Sequence, residues 1–441
     1  MLDSPFFYYL LRCLVFPFSL LPYSVIRFIG RGLGFAVYYL LPSKRKRVMN
    51  NLALATTLPC SLSERKAIAK KSFQNLATVV LEYFRLPRSR GNLNEIVSAV
   101  NSEVFDREMA KGRGVVLLSG HQANWEVPIL EVSKKHSGIA VGRPIRNKLL
   151  YQWLLSIRQM NGARIVVPKN ALKEGISELR RGGFVGIVGD QAYPESSYSY
   201  PLLGTRAWTT PLPAILAYKA EAPLLVVNNH FDGKRYSITY SEPIVPDTTQ
   251  PFKREVERIM NLAQGELERA ILQLPGEWLW SHNRWKQSSV NGVKRKYRHN
   301  FILVIMPKEK KAFESMIEGV VALQKIYSYA FLFAFVPVDR QEDFCLRVTG
   351  VDSIAYNDPA ELFVEEWKYQ LVIDFAGIKG IKRHFCKLGA FVTLDLPALK
   401  KVAFKSGLHD TTSMGKVVRY ALCKQPVLDE AEGNEGGGVC T

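Results

Sequence analysis

Of the seven histidines in the 441-residue chain, one is followed by an acidic residue five positions on: His121, with Glu126. Histidine titrates nearest neutral pH, so a modest environmental push makes it a usable general base. A carboxylate on the second ring nitrogen fixes the tautomer and stabilises the imidazolium that forms. The chemistry this pair suits is proton abstraction from a nucleophile. On a continuous helix five residues turn about 500°, which would put the two side chains on different faces. The pair therefore needs a turn between its members. The alternative is a surface histidine beside a first-turn glutamate favoured by a helix dipole.

Forty acidic residues in the chain make one such spacing an ordinary occurrence, so its placement carries the argument. Gly114-Val115-Val116-Leu117-Leu118-Ser119-Gly120 is a short apolar run bounded by glycines, the pattern of a buried strand. The polar turn His121-Gln122-Ala123-Asn124 follows, and a helical pattern starts at about Trp125. Open α/β sheets present their chemistry at such carboxyl ends of strands.

The surrounding pattern alternates strands with helices. Residues 102–112 form a polar helix, and a strand from Gly138 ends in Arg143 and Arg146. A helix carrying Arg158 runs to about Met160, Ala163–Val167 is a strand, 171–181 a helix, and Phe184–Gln191 a further buried strand whose end carries the acid Asp190. A loop over 192–210 holds Arg206, Thr209-Thr210-Pro211 opens a helix, Leu224–Asn229 and Tyr236–Tyr240 are strands, and Glu255–Leu274 is a long helix. Strands alternating with helices indicate an α/β sheet with parallel elements. Upstream, Ser61 through Glu64 starts a helix extending to about residue 86.

Composition bounds the rest. A hydrophobic fraction of 47% and a mean hydropathy of −0.04 describe a globular chain of two or three domains. The net charge of +19 implies an anionic partner. Six scattered cysteines without zinc spacing read as free thiols in a reducing compartment. Residues 5–42 are rich in apolar and aromatic side chains, but Arg12, Arg27, Arg31, Pro17 and Pro22 interrupt them. With Lys44-Arg45-Lys46-Arg47 next, they suit an interfacial or single-pass anchor on the cytoplasmic face; an amphipathic core helix is the other reading. Gly30-x-Gly32-x-Gly34 has no strand before it and is no dinucleotide loop. Residues 287–300 are polar and basic, and a second α/β pattern follows: strands at Phe301–Met306, Leu332–Val336, Leu371–Phe375 and Ala390–Leu394, with a helix at Lys311–Tyr327. The domains expected are 1–42, an anchor; 43–292, the core; 300–424, a C-terminal α/β appendage; and 425–441, a disordered tail.

Several motifs in order, Asn50-Asn51-Leu52-Ala53-Leu54, Gly120-His121-Gln122-Ala123-Asn124-Trp125-Glu126, Arg143-Pro144-x-x-Asn147, Gly189-Asp190-Gln191, Leu203-Gly204-x-x-Ala207 and Trp280-Ser281-His282-x-Arg284-Trp285-Lys286, resemble the bacterial lipid A late acyltransferases (lauroyl or myristoyl). These lie within the lysophospholipid and glycerolipid acyltransferase group, and the resemblance covers roughly residues 20–290. It implies a glycerolipid-acyltransferase-like αβα core and acyl transfer from acyl carrier protein to a hydroxyl of a lipid A precursor at the bacterial inner membrane. His121 would be the base and Glu126 its orienting carboxylate. By match to the family's later motifs, Arg143, Arg158 and Asp190 would position substrate or support the site; a helix cap is the other reading of Asp190. Arg206 is added as a phosphate contact from its loop alone, against a solvated surface charge. Trp278, Trp280 and Trp285 with Arg284 and Lys286 read either as an acyl pocket or as core packing.

An acidic carrier protein, a phosphorylated glycolipid and an anionic bilayer would all suit the basic charge. No GxSxG elbow occurs and no cysteine lies near His121, so the thioester would be attacked directly. Neither metal nor cofactor is expected, because no third ligand stands at a suitable spacing. Nucleic-acid binding rests on charge alone, without an aromatic-basic recognition module. A lysophospholipid acceptor, or an inactive membrane-bound binding protein, are the competing readings. The segment beyond 300 weakly resembles half of a heptosyltransferase-type glycosyltransferase without a glycine-rich phosphate loop, and reads as a docking or regulatory module.

Overall fold

The computed structural model describes residues 4–288 and 293–425. The chain divides into two compact units, Met1–Trp285 and Lys286–Thr441. The tail expected from 425 onward lies, but for Gln425, outside the described residues.

The first unit begins with four helices: α1 (Pro5–Val15), α2 (Tyr23–Leu40), α3 (Pro42–Leu54) and α4 (Leu62–Arg85). Ser61 and Glu64 close a reciprocal capping box that starts α4. Gly30 and Gly34 lie on the buried face of α2, where they let it approach α4 closely; a Cβ on Gly30 would stand 2.6 Å from Thr78 Oγ1. That glycine spacing is a packing device. No single helix among the described residues is long and apolar enough to cross a membrane; α2 and α3 pass that test only as a pair bent by 93°. The apolar N-terminus does expose large side chains, with Phe6 at 74%, Phe28 at 80% and Leu40 at 73%.

There follow β1 (Val97–Ala99), α5 (Ser102–Ala110), β2 (Val115–Ser119), α6 (Val127–Val132), β3 (Gly138–Val141), α7 (Lys148–Arg158), β4 (Arg164–Val166), α8 (Ala171–Arg180) and β5 (Phe184–Val188). A two-stranded antiparallel hairpin, β6 (Ser199–Tyr200) with β7 (Ala207–Trp208), precedes α9 (Leu212–Ala220), β8 (Leu224–Phe231), β9 (Tyr236–Tyr240) and α10 (Phe252–Gln273). Seven strands form one sheet in the order β1-β9-β8-β2-β5-β3-β4, parallel throughout except at β8–β9.

Alternation along β2 builds the layers. Val115 and Leu117 join a core with residues of α4, α5, α6 and α7, while Val116 and Leu118 join one with α8, α9 and α10. A strand buried on both faces is apolar throughout, as this run is. Helices thus cover both faces of a mainly parallel sheet. The helix expected from Trp125 begins two residues later, because Ala123 (φ 46°) and Asn124 are taken up by a turn.

The second unit is a parallel five-stranded sheet of β10 (Phe301–Ile305), β11 (Phe331–Pro337), β12 (Asp352–Tyr356), β13 (Leu371–Asp374) and β14 (Val392–Asp395), ordered β12-β11-β10-β13-β14. The order reverses beside its first strand, the arrangement of a doubly wound α/β fold. Its helices are α11 (Lys310–Ile326), α12 (Gln341–Arg347), α13 (Ile381–Lys387), α14 (Leu396–Lys405) and α15 (Met414–Leu422).

Candidate active site

Strands β2 and β5 are parallel neighbours in register, Ser119 opposite Val188, so the residues that follow each strand emerge side by side. This brings His121 to Asp190 across 69 residues of sequence. The His121 ring Nδ1 lies 2.5 Å from Asp190 Oδ1, and the His121 backbone N–H donates to Oδ2 at 2.7 Å. Trp278 Nε1–H donates to the same Oδ2 at 2.8 Å. Gly120 makes the closeness feasible, since a Cβ there would stand 3.1 Å from Oδ2. Burial opposes ionisation of Asp190, but the His121 charge and the three N–H donors outweigh it and hold the carboxyl well below the usual carboxylate range. An ionised Asp190 accepts from Nδ1–H and leaves Nε2 as the basic nitrogen. Nε2 faces Gln191 Nε2 at 3.1 Å, and the His121 ring packs against Trp125 with centroids 5.2 Å apart.

Glu126 takes a different place from the one its spacing suggests. It receives a two-pronged ion pair from Arg158, Nε to Oε2 at 2.9 Å and Nη2 to Oε1 at 2.6 Å. The turn through Ala123, with its left-handed backbone, carries Glu126 to the start of α6, where it meets the last turn of α7. Burial pushes the Arg158 guanidinium down, but Glu126 more than compensates and holds it protonated. The carboxylate bound to the imidazole is therefore Asp190, and this corrects the expectation that Glu126 holds the His121 ring. Asp190 is likewise no helix cap.

His121, Glu126, Arg143 and Arg158 line one cavity of about 570 Å³, with Gln191 beside them. Leu117, Ile129, Ala140, Ile165 and Ile187 supply apolar wall. The volume and mixed lining fit a ligand pocket. Arg143 is exposed at this cavity and has no ion-pair partner among the described residues. Arg206 is not in the lining; its guanidinium lies 5.6 Å from the centroid of the Trp208 ring on an exposed loop. Trp278, Trp280 and Trp285 are buried against one another, centroids 4.7 to 6.4 Å apart, and none lines the cavity. Arg284, fully buried among them, donates to Trp208 O at 2.8 Å and to Thr209 Oγ1 at 2.5 Å. These residues pack the core, and Trp278 in addition holds Asp190.

Three supporting groups carry no assigned role in the sequence reading. Glu82, fully buried on α4, accepts from Arg27 Nε at 2.6 Å, Asn124 Nδ2 at 2.9 Å and Tyr236 Oη at 2.6 Å. Asn51 on α3 donates to the carbonyls of Trp280 and His282, tying the tryptophan segment down. His282 Nε2 accepts the Ala192 N–H at 3.2 Å, next to Gln191, and burial pushes its ring down to about 4. Asn51 and His282 had only membership of the polar motifs to mark them, and Glu82 had no signal in the sequence.

The family described as bacterial lipid A biosynthesis acyltransferase matches residues 4–287. The lipid A biosynthesis lauroyltransferase of Escherichia coli (strain K12) is 27% identical over 285 residues, 63% of this chain and 90% of the relative. The lipid A biosynthesis palmitoleoyltransferase of the same strain is 23% identical over 279 residues, 61% of this chain and 88% of that protein. A lipid A biosynthesis acyltransferase of Haemophilus influenzae is 22% identical over 273 residues, 60% and 86% of the two chains. The second unit lies almost entirely beyond the matched residues.

Proposed function

The chain belongs to the bacterial lipid A biosynthesis acyltransferase family, and from that we propose that it moves a fatty acyl group from an acyl carrier protein thioester to a hydroxyl of a lipid A precursor. The observation that carries the mechanism is the charge-assisted contact of His121 Nδ1 with buried Asp190 at the mouth of a mixed polar and apolar cavity. In this reading His121 Nε2 takes the acceptor hydroxyl proton as the oxygen attacks the thioester carbonyl. Asp190 stabilises the imidazolium through Nδ1. Collapse of the tetrahedral intermediate breaks the carbon–sulfur bond, and His121 returns the proton to the departing thiolate.

Arg143, at the cavity and without an ion-pair partner among the described residues, is the candidate contact for an anionic part of donor or acceptor. Arg158, held by Glu126, forms a rigid cationic wall, and the apolar lining receives the acyl chain. Arg206, away from the lining, has no part in this reading. The exposed apolar faces of α1 and α2 support a monotopic seat on the cytoplasmic side of the inner membrane, with the basic start of α3 against anionic headgroups. The second unit is read as a docking or regulatory module.

The test is acyl transfer from a panel of acyl carrier protein thioesters to a tetra-acylated lipid A precursor, with lysophospholipid as the alternative acceptor. Transfer that disappears in His121→Ala while folding persists supports the reading. Transfer to lysophospholipid alone reassigns the acceptor, and no transfer to either leaves a binding protein.

A further inference from the structure

A second cavity, of about 260 Å³, opens between α2, α4 and the end of the β8–β9 hairpin. Its lining holds three cations, Arg27, Arg31 and Lys71, and one carboxylate, Glu277. Arg27 and Arg31 stand one turn apart on α2, and Lys71, Gln74, Asn75 and Thr78 stand on one face of α4. Arg31 and Lys71 form no ion pair within 4.0 Å among the described residues. Arg27 donates from Nε to Glu82 and from Nη1 to the Lys234 carbonyl at 2.8 Å, and its guanidinium lies 4.5 Å from the centroid of the Phe231 ring, so its charge is fixed beside the cavity. The Glu277 carboxylate, also in the lining, accepts the Phe231 N–H at 3.3 and 3.4 Å and no other hydrogen bond among the described residues, which leaves it open to a further donor.

We propose that this cavity binds a phosphate whose esterifying alcohol carries hydroxyls, a glycerol or sugar phosphate headgroup of a lipid. The phosphate oxygens accept from Arg31 and Lys71 beside the fixed charge of Arg27, and a headgroup hydroxyl donates to Glu277. The lipid source follows from the neighbouring surface and rests on the membrane seat proposed above. Phe28, Phe35 and Tyr39, spaced along one side of α2, are 80%, 47% and 49% exposed, and Arg27 and Arg31 flank that stripe. With the stripe in the acyl region, the two arginines stand at headgroup depth. Glu277 O also accepts the Ala123 N–H, so the occupied cavity would adjoin the turn that carries His121. The ligand sources that share this chemistry are a bilayer phosphatidylglycerol and the phosphorylated sugar of the acceptor.

The full chain is measured by flotation on phosphatidylcholine vesicles, alone or doped with phosphatidylglycerol or with the lipid A precursor. Binding of dihexanoylphosphatidylglycerol below its micelle concentration and of inorganic phosphate is measured in parallel by calorimetry. Two variants are compared: R31Q/K71Q, which removes charge at exposed positions, and Gln74→Trp, which fills the cavity and keeps every charge. Both are expected to bind the doped vesicles and the short-chain lipid about tenfold more weakly or worse, with unchanged retention on phosphatidylcholine. Gain from phosphatidylglycerol, from the precursor, or from both, identifies which source the site takes. If Gln74→Trp, folded, binds like the wild type while only the charge-removing variant weakens, the attraction is unspecific surface electrostatics and the proposal is wrong. Equal binding of inorganic phosphate and the short-chain lipid would also overturn it, as a site for free anions. Should the wild type float with no vesicle, the membrane seat fails, and the short-chain lipid still decides on the cavity.

Discussion

Replacing Asp190 with asparagine separates the two carboxylates near His121. Asp190 Oδ2 accepts two N–H groups, from the His121 backbone and Trp278, and Oδ1 accepts one from the His121 ring. An asparagine has one acceptor oxygen, and the two donors at the Oδ2 position leave no room for an NH₂ group there. Its oxygen therefore settles on that side and its NH₂ faces His121 Nδ1. The ring must then accept at Nδ1 and carry its proton on Nε2, so the basic nitrogen is lost. Loss of the correct tautomer in this way lowers turnover by about 10³- to 10⁴-fold, equivalent to roughly 4–5.5 kcal/mol of barrier. The assay is single-turnover acyl transfer at neutral pH, with circular dichroism to confirm folding. Glu126→Gln is the counterpart: it leaves the imidazole alone, breaks the pair with Arg158, and should lower stability by about 2–3 kcal/mol with a much smaller effect on turnover. If Asp190→Asn keeps turnover within about tenfold of wild type while Glu126→Gln abolishes it, Asp190 does not set the His121 tautomer.

Other outcomes follow from packing and burial. Gly30→Val should push α2 off α4, because even a Cβ would lie 2.6 Å from Thr78 Oγ1 and 2.7 Å from its Cα; a loss of about 2–3 kcal/mol should appear in urea unfolding. Gly186→Leu projects into the main cavity toward Ala140 and Ile129, 3.6 Å from a Cβ, and should shift donor preference to shorter acyl chains in a thioester competition assay. The His282 ring, pushed down to about 4 by burial, should stay neutral through the physiological range and titrate near that value by NMR. Its folded value lies below the unfolded one, so the contribution is present above about 6.5 and is lost as pH falls toward 4. The loss is about 3 kcal/mol at most.

What the sequence disclosed and what it hid divide along local and non-local lines. Val115–Ser119, Phe184–Val188 and the capped start of α4 were legible because apolar runs and the Ser61–Glu64 pair are local signals. The three-residue β1 and the two-residue β6 and β7 are too short to leave a pattern, and β12 alternates exposed and half-buried residues at a sheet edge. His121 was legible from its place after a buried strand. Its true partner was not, because Asp190 reaches it through the β2–β5 register, which depends on sheet order rather than spacing. The five-residue interval to Glu126 suggested a nearer partner, yet one left-handed residue at Ala123 redirects that carboxylate to Arg158. The tryptophan segment looked equally like pocket or core, and only three-dimensional packing distinguishes the two.

Glu82 also sets a timetable for the nascent chain. Arg27 and Glu82 leave the ribosome early, whereas Tyr236, which completes the carboxylate's hydrogen bonds, lies 154 residues after Glu82. At about 5–20 residues per second, roughly 8–30 s separate their synthesis. During that interval the paired N-terminal helices hold a carboxylate whose final surroundings do not yet exist, and the turn bearing His121 is anchored through Asn124 to an incomplete set of partners. Competence for chemistry is thus one of the last properties the first unit acquires, well after its N-terminal helices have been synthesised.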